Sequence, residues 1–320
     1  MAVLTPVDLE EARLLGAALC VEITSVEGIL AGSVNSNFAL HTADGGRLFL
    51  RVYEEQTPTT AQGEAALLAH LARWGVPTPR PLPFADGSPL TTHRGKPAAV
   101  FPWVEGATLC QARVTEGAAA AVGAALARTH LAGLDYPAPP PSRFDAAALA
   151  GRLETILQKA PSLAPLVARL RGELARLGPL RSPQASFSLV HADLFRDNVL
   201  FHEGALVALL DFESACAVSR PFDLAVTLLA WCFGDSLDRS LARALVGGYA
   251  CVRPLPPEEL RYLPADAAFA ALRFTITRLT DFELRPRGQG VFKDYRRFLA
   301  RLDAVLALGD GLAPFLGLAP

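Results

Sequence analysis

The chain has 320 residues, 51% of them apolar and 19% charged, with a formal net charge of −2. That length supports a sizeable core in one large domain or two lobes, and the apolar fraction excludes a disordered chain. So near-neutral a balance offers no global field for gripping nucleic acid or an anionic membrane surface.

Thr5-Pro6-Val7-Asp8 reads as a helix start, with a hydroxyl N-cap and Pro at the first helical position, for a helix running to about Cys20. Three strand-like pieces follow. Val21–Gly32 leads into the small polar loop Gly32-Ser33-Val34-Asn35-Ser36-Asn37, and Phe38–Thr42 leads into the turn Asp44-Gly45-Gly46. Arg47–Tyr53 places Leu48, Leu50 and Val52 on one face, which completes a β-meander. A helix is predicted over Thr59–Trp74, then Pro77, Pro79, Pro81 and Pro83 enforce extended chain, with strands expected around Arg80–Phe84 and Ala98–Trp103. Beyond Gly106 the periodicity is mostly helical: about 115–132, 144–158, 162–177, 223–232, 236–252, 264–283 and 291–306. The fold class expected is α+β, with a small β-rich lobe over residues 1–105 and a larger helical lobe over 107–320, joined near 101–106.

The N-terminus MAVLTPVDLEEARLLG has acids where a secretory signal has a basic region. The longest apolar stretches, Ala118–Ala127 and Leu224–Phe233, fall well short of the roughly 20 residues of a membrane span. Cys20, Cys110, Cys216, Cys232 and Cys251 are scattered, form no CxxC pair and read as buried thiols in a reducing, cytoplasmic setting. The oligomeric state is not legible.

Strand signals return once in the helical region. Apolar Phe187–Val190 precedes His191-Ala-Asp193-Leu-Phe-Arg196-Asp197-Asn198. Val199–Phe201, the turn His202-Glu203-Gly204 and Ala205–Leu210 follow, ending at Asp211-Phe212. A hairpin this short brings the residues before its first strand next to those after its second, so Asp193 and Asn198 should lie close to Asp211. Mg²⁺ takes hard oxygen ligands, few from protein and the rest from phosphates and water, which Asn198 and Asp211 can supply. Asp193 can then orient a hydroxyl nucleophile; with an ordinary pKa of roughly 3.9 it accepts the proton late and contributes mainly by positioning. The spacing matches the kinase catalytic-loop pattern His-x-Asp-x-x-x-x-Asn with a second Asp beyond the next hairpin; the competing reading is a plain polar turn with capping Asp and Asn. His191 reads as a loop brace, Asp197 as solvent-facing or bracing, and His130, on an apolar helix, as a satisfied core histidine.

Val190–Phe212 resembles the phosphotransferase branch of the kinase-like superfamily, which includes aminoglycoside, choline and homoserine kinases. More narrowly, His191–Phe201, Ala31–Phe38 and Arg278–Leu284 are similar to type II homoserine kinases. The resemblance implies a protein-kinase-like two-lobe fold, ATP and Mg²⁺ as cofactors, Asp193 as catalytic residue, Asn198 and Asp211 as Mg²⁺ ligands, and O-phospho-L-homoserine as product on the route to threonine. It places Gly32, Ser33, Asn35, Ser36 and Asn37 at the phosphate-covering loop, with a plain hairpin turn as the alternative, and Trp103 and Val104 at the adenine hinge, with a bland linker as the alternative. Arg51 stands where such kinases carry a strand lysine, and Glu64 where its ion-pair partner lies; a surface salt bridge is the alternative. Asp223 stands where the superfamily braces its catalytic loop, and could equally cap the helix that starts there.

Seven cations against three acids between Arg273 and Arg297 suit an acceptor with a carboxylate better than a polycationic aminoglycoside. Arg278 and Asp281, three apart, are candidates for homoserine's carboxylate and ammonium, or else form an internal helix ion pair. Arg196 joins them as an acceptor-site candidate. The other readings are a kinase of another small molecule with this fold, or an inactive kinase-like binding module, whose only support is the missing strand lysine.

Overall fold

The computed structural model describes residues 4–30, 34–285 and 292–318. The chain divides at Glu105/Gly106 into two compact units, the first β-rich and the second mostly helical.

In the first unit, helix α1 (Leu9–Ala18) is capped by Asp8, whose side chain accepts from the Glu11 N–H while Glu11 reaches back to the Asp8 N–H. This reciprocal box displaces the cap expected at Thr5. Thr5 instead donates its N–H to Ser36 Oγ and its hydroxyl to Glu54. Strands β1 (Ile23–Ile29), β2 (Ser36–Thr42), β3 (Arg47–Val52), β4 (Thr91–His93) and β5 (Lys96–Pro102) form an antiparallel sheet in the order β1-β2-β3-β5-β4. The β2–β3 turn closes through Thr42 N–H to Gly46 O, with Gly45 in the left-handed region at φ 85°. One sheet face packs Phe38, Leu40, Leu50, Val52, Ala98 and Val100 against Ala12 and Leu15 of α1. Helix α2 (Pro58–Arg73) starts at the Thr57 cap with Pro at its first position.

The strand expected at Arg80–Phe84 does not form. Pro81 and Pro83 cannot donate to a ladder, and Leu82 alone bonds β5, through Val100 O at 2.7 Å. The edge strand is β4 instead. Of the polar loop Gly32–Asn37, Ser36 and Asn37 belong to β2, and Gly32 and Ser33 lie outside the described residues.

The second unit contains α3 (Glu116–Leu134), α4 (Ala146–Lys159), α5 (Ala164–Leu177), α6 (Arg220–Trp231), α7 (Arg239–Val252), the single turn α8 (Pro257–Leu260), α9 (Leu263–Arg278) and α10 (Arg296–Leu308). Helix α9 is buried on nearly every face, with α4, α5, α6 and α10 packed around it. It continues past Arg278 as a π-helical turn over Leu279–Glu283, so the helix expected over 264–283 reaches that end with its last turn widened. Helices α3 and α7 meet through glycines: a Cβ on Gly123 would stand 1.9 Å from Leu245 O, and one on Gly248 2.1 Å from Ala120 O. Close approach there requires residues without a side chain.

Two small antiparallel pairs complete the unit. β6 (Ser188–Val190) pairs with β9 (Cys216–Val218), a strand absent from the sequence reading, and β7 (Val199–His202) pairs with β8 (Ala205–Leu209). All five cysteines are free, but only Cys216 and Cys232 are buried; Cys20, Cys110 and Cys251 are exposed, against the expectation of five buried thiols. No described helix is long and apolar enough to cross a membrane.

Candidate active site

The loop from His191 to Asn198 is held by side chains of α6 and α9 and by the chain just after β8. β6 delivers the chain to His191, paired to β9 on one side. Asp223 on α6, fully buried, accepts from the backbone N–H of His191 at 2.9 Å and of Ala192 at 2.8 Å. Ser219, not Asp223, caps α6. Asp223 therefore braces the loop, which resolves the choice left open by the sequence. Arg273 on α9 donates to Ala192 O at 2.7 Å, Asn198 Nδ2 to Asp193 O at 2.9 Å, and Trp231 Nε1 to Leu194 O at 3.1 Å. A buried backbone left unpaired would cost about 1–3 kcal/mol per group, so these partners fix the loop rather than decorate it.

Ala192 adopts φ 64°, a left-handed conformation costly for a residue with a Cβ. The bonds from Asp223 to its N–H and from Arg273 to its carbonyl grip Ala192 on both sides and hold Asp193 in place just beyond it. His191 ties the loop to the hairpin: its Nδ1 accepts from Asp193 N–H at 3.3 Å and its Nε2 donates to Leu210 O at 3.0 Å. The brace assigned to His191 is thus made with both ring nitrogens. Leu210 N–H in turn donates to Asn198 O at 2.9 Å. Asp211 follows at φ 62°, also left-handed.

Asp193, Asn198 and Asp211 are therefore brought together by the β7–β8 hairpin. Asp193 and Asp211 lie within electrostatic range, and the Asp211 charge disfavours ionisation of Asp193. Burial pushes the Asp193 carboxyl up; the Arg273 guanidinium, 3.9 Å away, opposes that and does not fully cancel it. Asp211 is exposed, and no described residue donates to its carboxylate. Asn198 spends its Nδ2 on Asp193 O, which leaves Oδ1 as its outward oxygen. Among the described residues no group of three or more His, Cys, Asp or Glu side chains could hold a metal. Two hard oxygen donors, one amide and one carboxylate, fit a cation that keeps water and phosphate in its other positions.

Behind Asp223 lies a buried chain. Arg253 donates to Tyr249 Oη at 3.2 Å, Tyr249 to His130 Nδ1 at 2.7 Å, and His130 Nε2 to Asp223 at 3.0 Å. Burial holds the His130 imidazole below its usual pKa and outweighs the pull of Asp223, so it is neutral with its proton on Nε2. Burial also works against the Asp223 carboxylate, but the hydrogen bond from His130 and the N–H of His191 keep it below the ordinary range. His130 is a satisfied core histidine, as expected, and its partner is the loop brace itself.

In the first unit, Arg51 Nη1 lies 3.6 Å from Glu64 Oε1, so the expected pair forms, with both side chains largely buried. Arg51 Nε also donates to Asn37 Oδ1, opposite it in the β2–β3 register, and Gln56 donates to Glu64. Asn35 Oδ1 accepts from Glu54 N–H, and Ser36 Oγ accepts from the Leu4 and Thr5 N–H groups and donates to Glu54. Ser36 and Asn35 thus tie the start of β2 to the chain before α1 and after β3. Trp103, half-buried, carries the Arg47 guanidinium 4.4 Å from its ring centre, and Val104 is half-buried beside it.

The acceptor candidates separate. Asp281 does not pair with Arg278: it receives Arg152 of α4 at 2.6 Å and Thr280, because the π-turn rotates it off the face of α9 that bears Arg278. Arg196 is spent on Gln111 and on Ala230 O at the C-terminal turn of α6. Arg278 donates to Asp294 O and stacks 4.4 Å over Phe298. Sequence reasoning missed Arg273 as a loop partner, since nothing local marks a contact 81 residues distant.

Residues 25–255 match the Phosphotransferase enzyme family. The chain is 38% identical over 288 residues to a homoserine kinase of Gluconacetobacter diazotrophicus, covering 88% of this chain and 89% of that one. It is also 38% identical over 319 residues to a homoserine kinase of Nitrobacter hamburgensis, covering 97% and 96%. Among solved structures, a spectinomycin phosphotransferase in complex with ADP and spectinomycin superposes with a TM-score of 0.71 at 10% identity, over 95% of this chain and 99% of that one. An amicoumacin kinase in complex with AMP-PNP and Ca²⁺ gives 0.67 at 17% identity, over 97% and 96%. The chain has the α+β two-lobe kinase-like fold and belongs to the phosphotransferase enzyme family, alongside these homoserine kinases.

Proposed function

We propose that the protein transfers the γ-phosphoryl group of ATP to the hydroxyl of L-homoserine, giving O-phospho-L-homoserine and ADP, in the cytoplasm. The observation that carries the chemistry is the convergence of Asp193, Asn198 and Asp211 around one hairpin, on a loop braced by Asp223, Arg273 and His191. The acceptor follows from the homoserine kinases that match nearly the whole length. ATP as donor is supported by the ADP and AMP-PNP held by the structural neighbours.

Asp193 accepts a hydrogen bond from the acceptor hydroxyl, aims its oxygen at the γ-phosphorus and takes the proton as the new O–P bond forms. Orientation supplies most of the rate, as an intramolecular geometry replaces a bimolecular encounter. Asn198 Oδ1 and the Asp211 carboxylate are the residues that would hold Mg²⁺, which supplies neutralisation of the charge on the transferring group. Arg51, braced by Glu64 and Asn37, offers a permanent cation to the nucleotide phosphates in place of lysine. The backbone of Trp103 and Val104 would meet the adenine, and that of the Gly32–Asn37 segment the phosphates.

The test is ADP release by purified protein with ATP, Mg²⁺ and, separately, L-homoserine, choline, kanamycin and methylthioribose, with the product identified by mass. Turnover with homoserine at least about a hundredfold above the others is expected. Preference for another acceptor overturns the homoserine reading, and ATP binding without turnover of any acceptor overturns the kinase reading.

A further inference from the structure

Five basic side chains gather where α6, α9 and α10 meet, and among the described residues only Lys293 is ion-paired with an acid. Arg301 donates from Nε to Leu229 O at 2.9 Å and from Nη2 to Phe233 O at 3.0 Å, while Arg196 donates to Ala230 O. These two are thus consumed in satisfying the C-terminal carbonyls of α6, the favourable place for a cation. Lys293 is paired with Asp197 at 3.4 Å. Arg278 and Arg297 remain. Among the described residues neither pairs with a carboxylate; Arg297 is exposed, and Arg278 has only the Asp294 carbonyl at 3.1 Å. Arg278 and Arg301 lie over the same Phe298 ring, at 4.4 and 4.8 Å. Stacking holds a guanidinium plane while leaving its edge donors free.

The acids nearest to hand are already engaged. Asp294 caps Arg296, and Asp193 lies beside Arg273. Asp281, the residue that would have answered Arg278, is turned away to Arg152. Burial and then the Arg297 charge push the Arg278 guanidinium down to about 10, so it is still charged at neutral pH and carries an unanswered cost. Burial and the charges of Arg278, Arg297 and Arg196 likewise push Arg301 down to about 9. Such a cluster is stabilised by an anion that completes it. Arg278 also lies within electrostatic range of Asp193, so an anion at its edge would share a small acceptor molecule with the group that orients the hydroxyl.

Resting on the homoserine reading above, we propose that Arg278, backed by Arg297, binds the carboxylate of the acceptor, so that the enzyme selects hydroxy acids over amino alcohols. Arg196 and Arg301 serve as a structural floor for that subsite, and Asp281 takes no part in it.

The experiment compares wild type, Arg278→Met and Arg297→Met with three acceptors: L-homoserine, 3-aminopropan-1-ol, which lacks only the carboxylate, and 4-hydroxybutyrate, which lacks only the ammonium. Steady-state kinetics and calorimetric titration of each acceptor are both recorded. Loss of a charge-assisted hydrogen bond predicts a rise of about 10- to 100-fold in KM and Kd for L-homoserine and 4-hydroxybutyrate in Arg278→Met, with a smaller rise in Arg297→Met. The values for 3-aminopropan-1-ol should stay within about threefold, which a merely structural defect would not allow. Equal losses for all three acceptors, or a loss in ATP KM instead, overturn the proposal. If wild type turns over no homoserine, the acceptor reading falls on its own. The titrations then decide: carboxylate binding lost in Arg278→Met sustains the subsite, and no carboxylate binding by wild type removes it.

Discussion

Asp193 owes its place less to its neighbours in sequence than to two distant side chains gripping the peptide before it. Asp223 takes the N–H groups of His191 and Ala192, and Arg273 takes the Ala192 carbonyl, so the left-handed Ala192 is paid for from outside the loop. Asp193→Asn keeps that frame but removes the hydroxyl's acceptor; turnover should drop roughly a thousandfold or more while ATP affinity by calorimetry stays within about threefold. Unchanged turnover would mean that another group orients the nucleophile. Asp223→Ala acts differently, because it leaves two buried N–H groups and the His130 Nε2–H without an acceptor. A loss of about 2–4 kcal/mol in urea unfolding is expected, with kcat falling far more than the KM for ATP. Asp211→Asn removes one of two oxygen donors' charge, and the Mg²⁺ concentration giving half-maximal rate should rise about tenfold or more.

At the scale of elements, one hairpin and one helix crossing do most of the positioning. The β7–β8 hairpin brings Asn198 and Asp211 together, and the hydrogen bond from Leu210 N–H to Asn198 O sets their register. The α3–α7 crossing matters because α3 carries His130 and α7 carries Tyr249, the two links behind Asp223. Its closeness depends on Gly123 and Gly248, where a Cβ would run into the backbone of the other helix. Backbone cannot retreat as a side-chain tip can, so Gly248→Val should cost about 2–4 kcal/mol and lower kcat by moving Tyr249. A thermal melt and a rate assay check this together, and a variant as stable and active as wild type would show that the helices part at little cost. The element reading from sequence was good for the helices and the hairpin, whose periodicity and turn residues are local. It failed for the strand expected at Arg80–Phe84, for β4 and β9, and for the first-turn cap of α1. A three-residue strand has no periodicity to read, and Asp8 with Glu11 outcompetes Thr5 only once Thr5 is drawn to Ser36 and Glu54.

For the molecule as a whole, acid stability should be set largely by carboxylates buried against arginines. Glu259 on α8 is the clearest case: burial opposes its charge, but hydrogen bonds from Arg253 and Arg220 prevail and hold its carboxyl below the usual range. Its folded-state pKa lies under the unfolded one, so its contribution is fully present at neutral pH. That contribution is lost as pH falls through the folded-state value. Glu259→Gln should therefore destabilise by about 1–3 kcal/mol at pH 7, and the gap to wild type should close in acid. Melting temperatures from pH 7 down to 3 test this, and a gap that widens in acid would reverse the sign assigned here.

Local pattern along the chain was enough to read the α+β order of elements, the helix and hairpin spans, and the convergence of Asp193, Asn198 and Asp211. Those depend on spacing along a short stretch of chain, and covalent connection around a tight turn leaves little choice of geometry. Packing had to be seen before Asp223 could be assigned as a brace rather than a cap, Arg273 to the Ala192 carbonyl, Arg196 to a helix end, and Asp281 to Arg152, with Arg278 left without an acid among the described residues. Each of these side chains had several partners of suitable chemistry in the sequence. Which one it meets is fixed by how buried helices pack and by the demand that every buried polar group find a partner, and neither is written in local spacing.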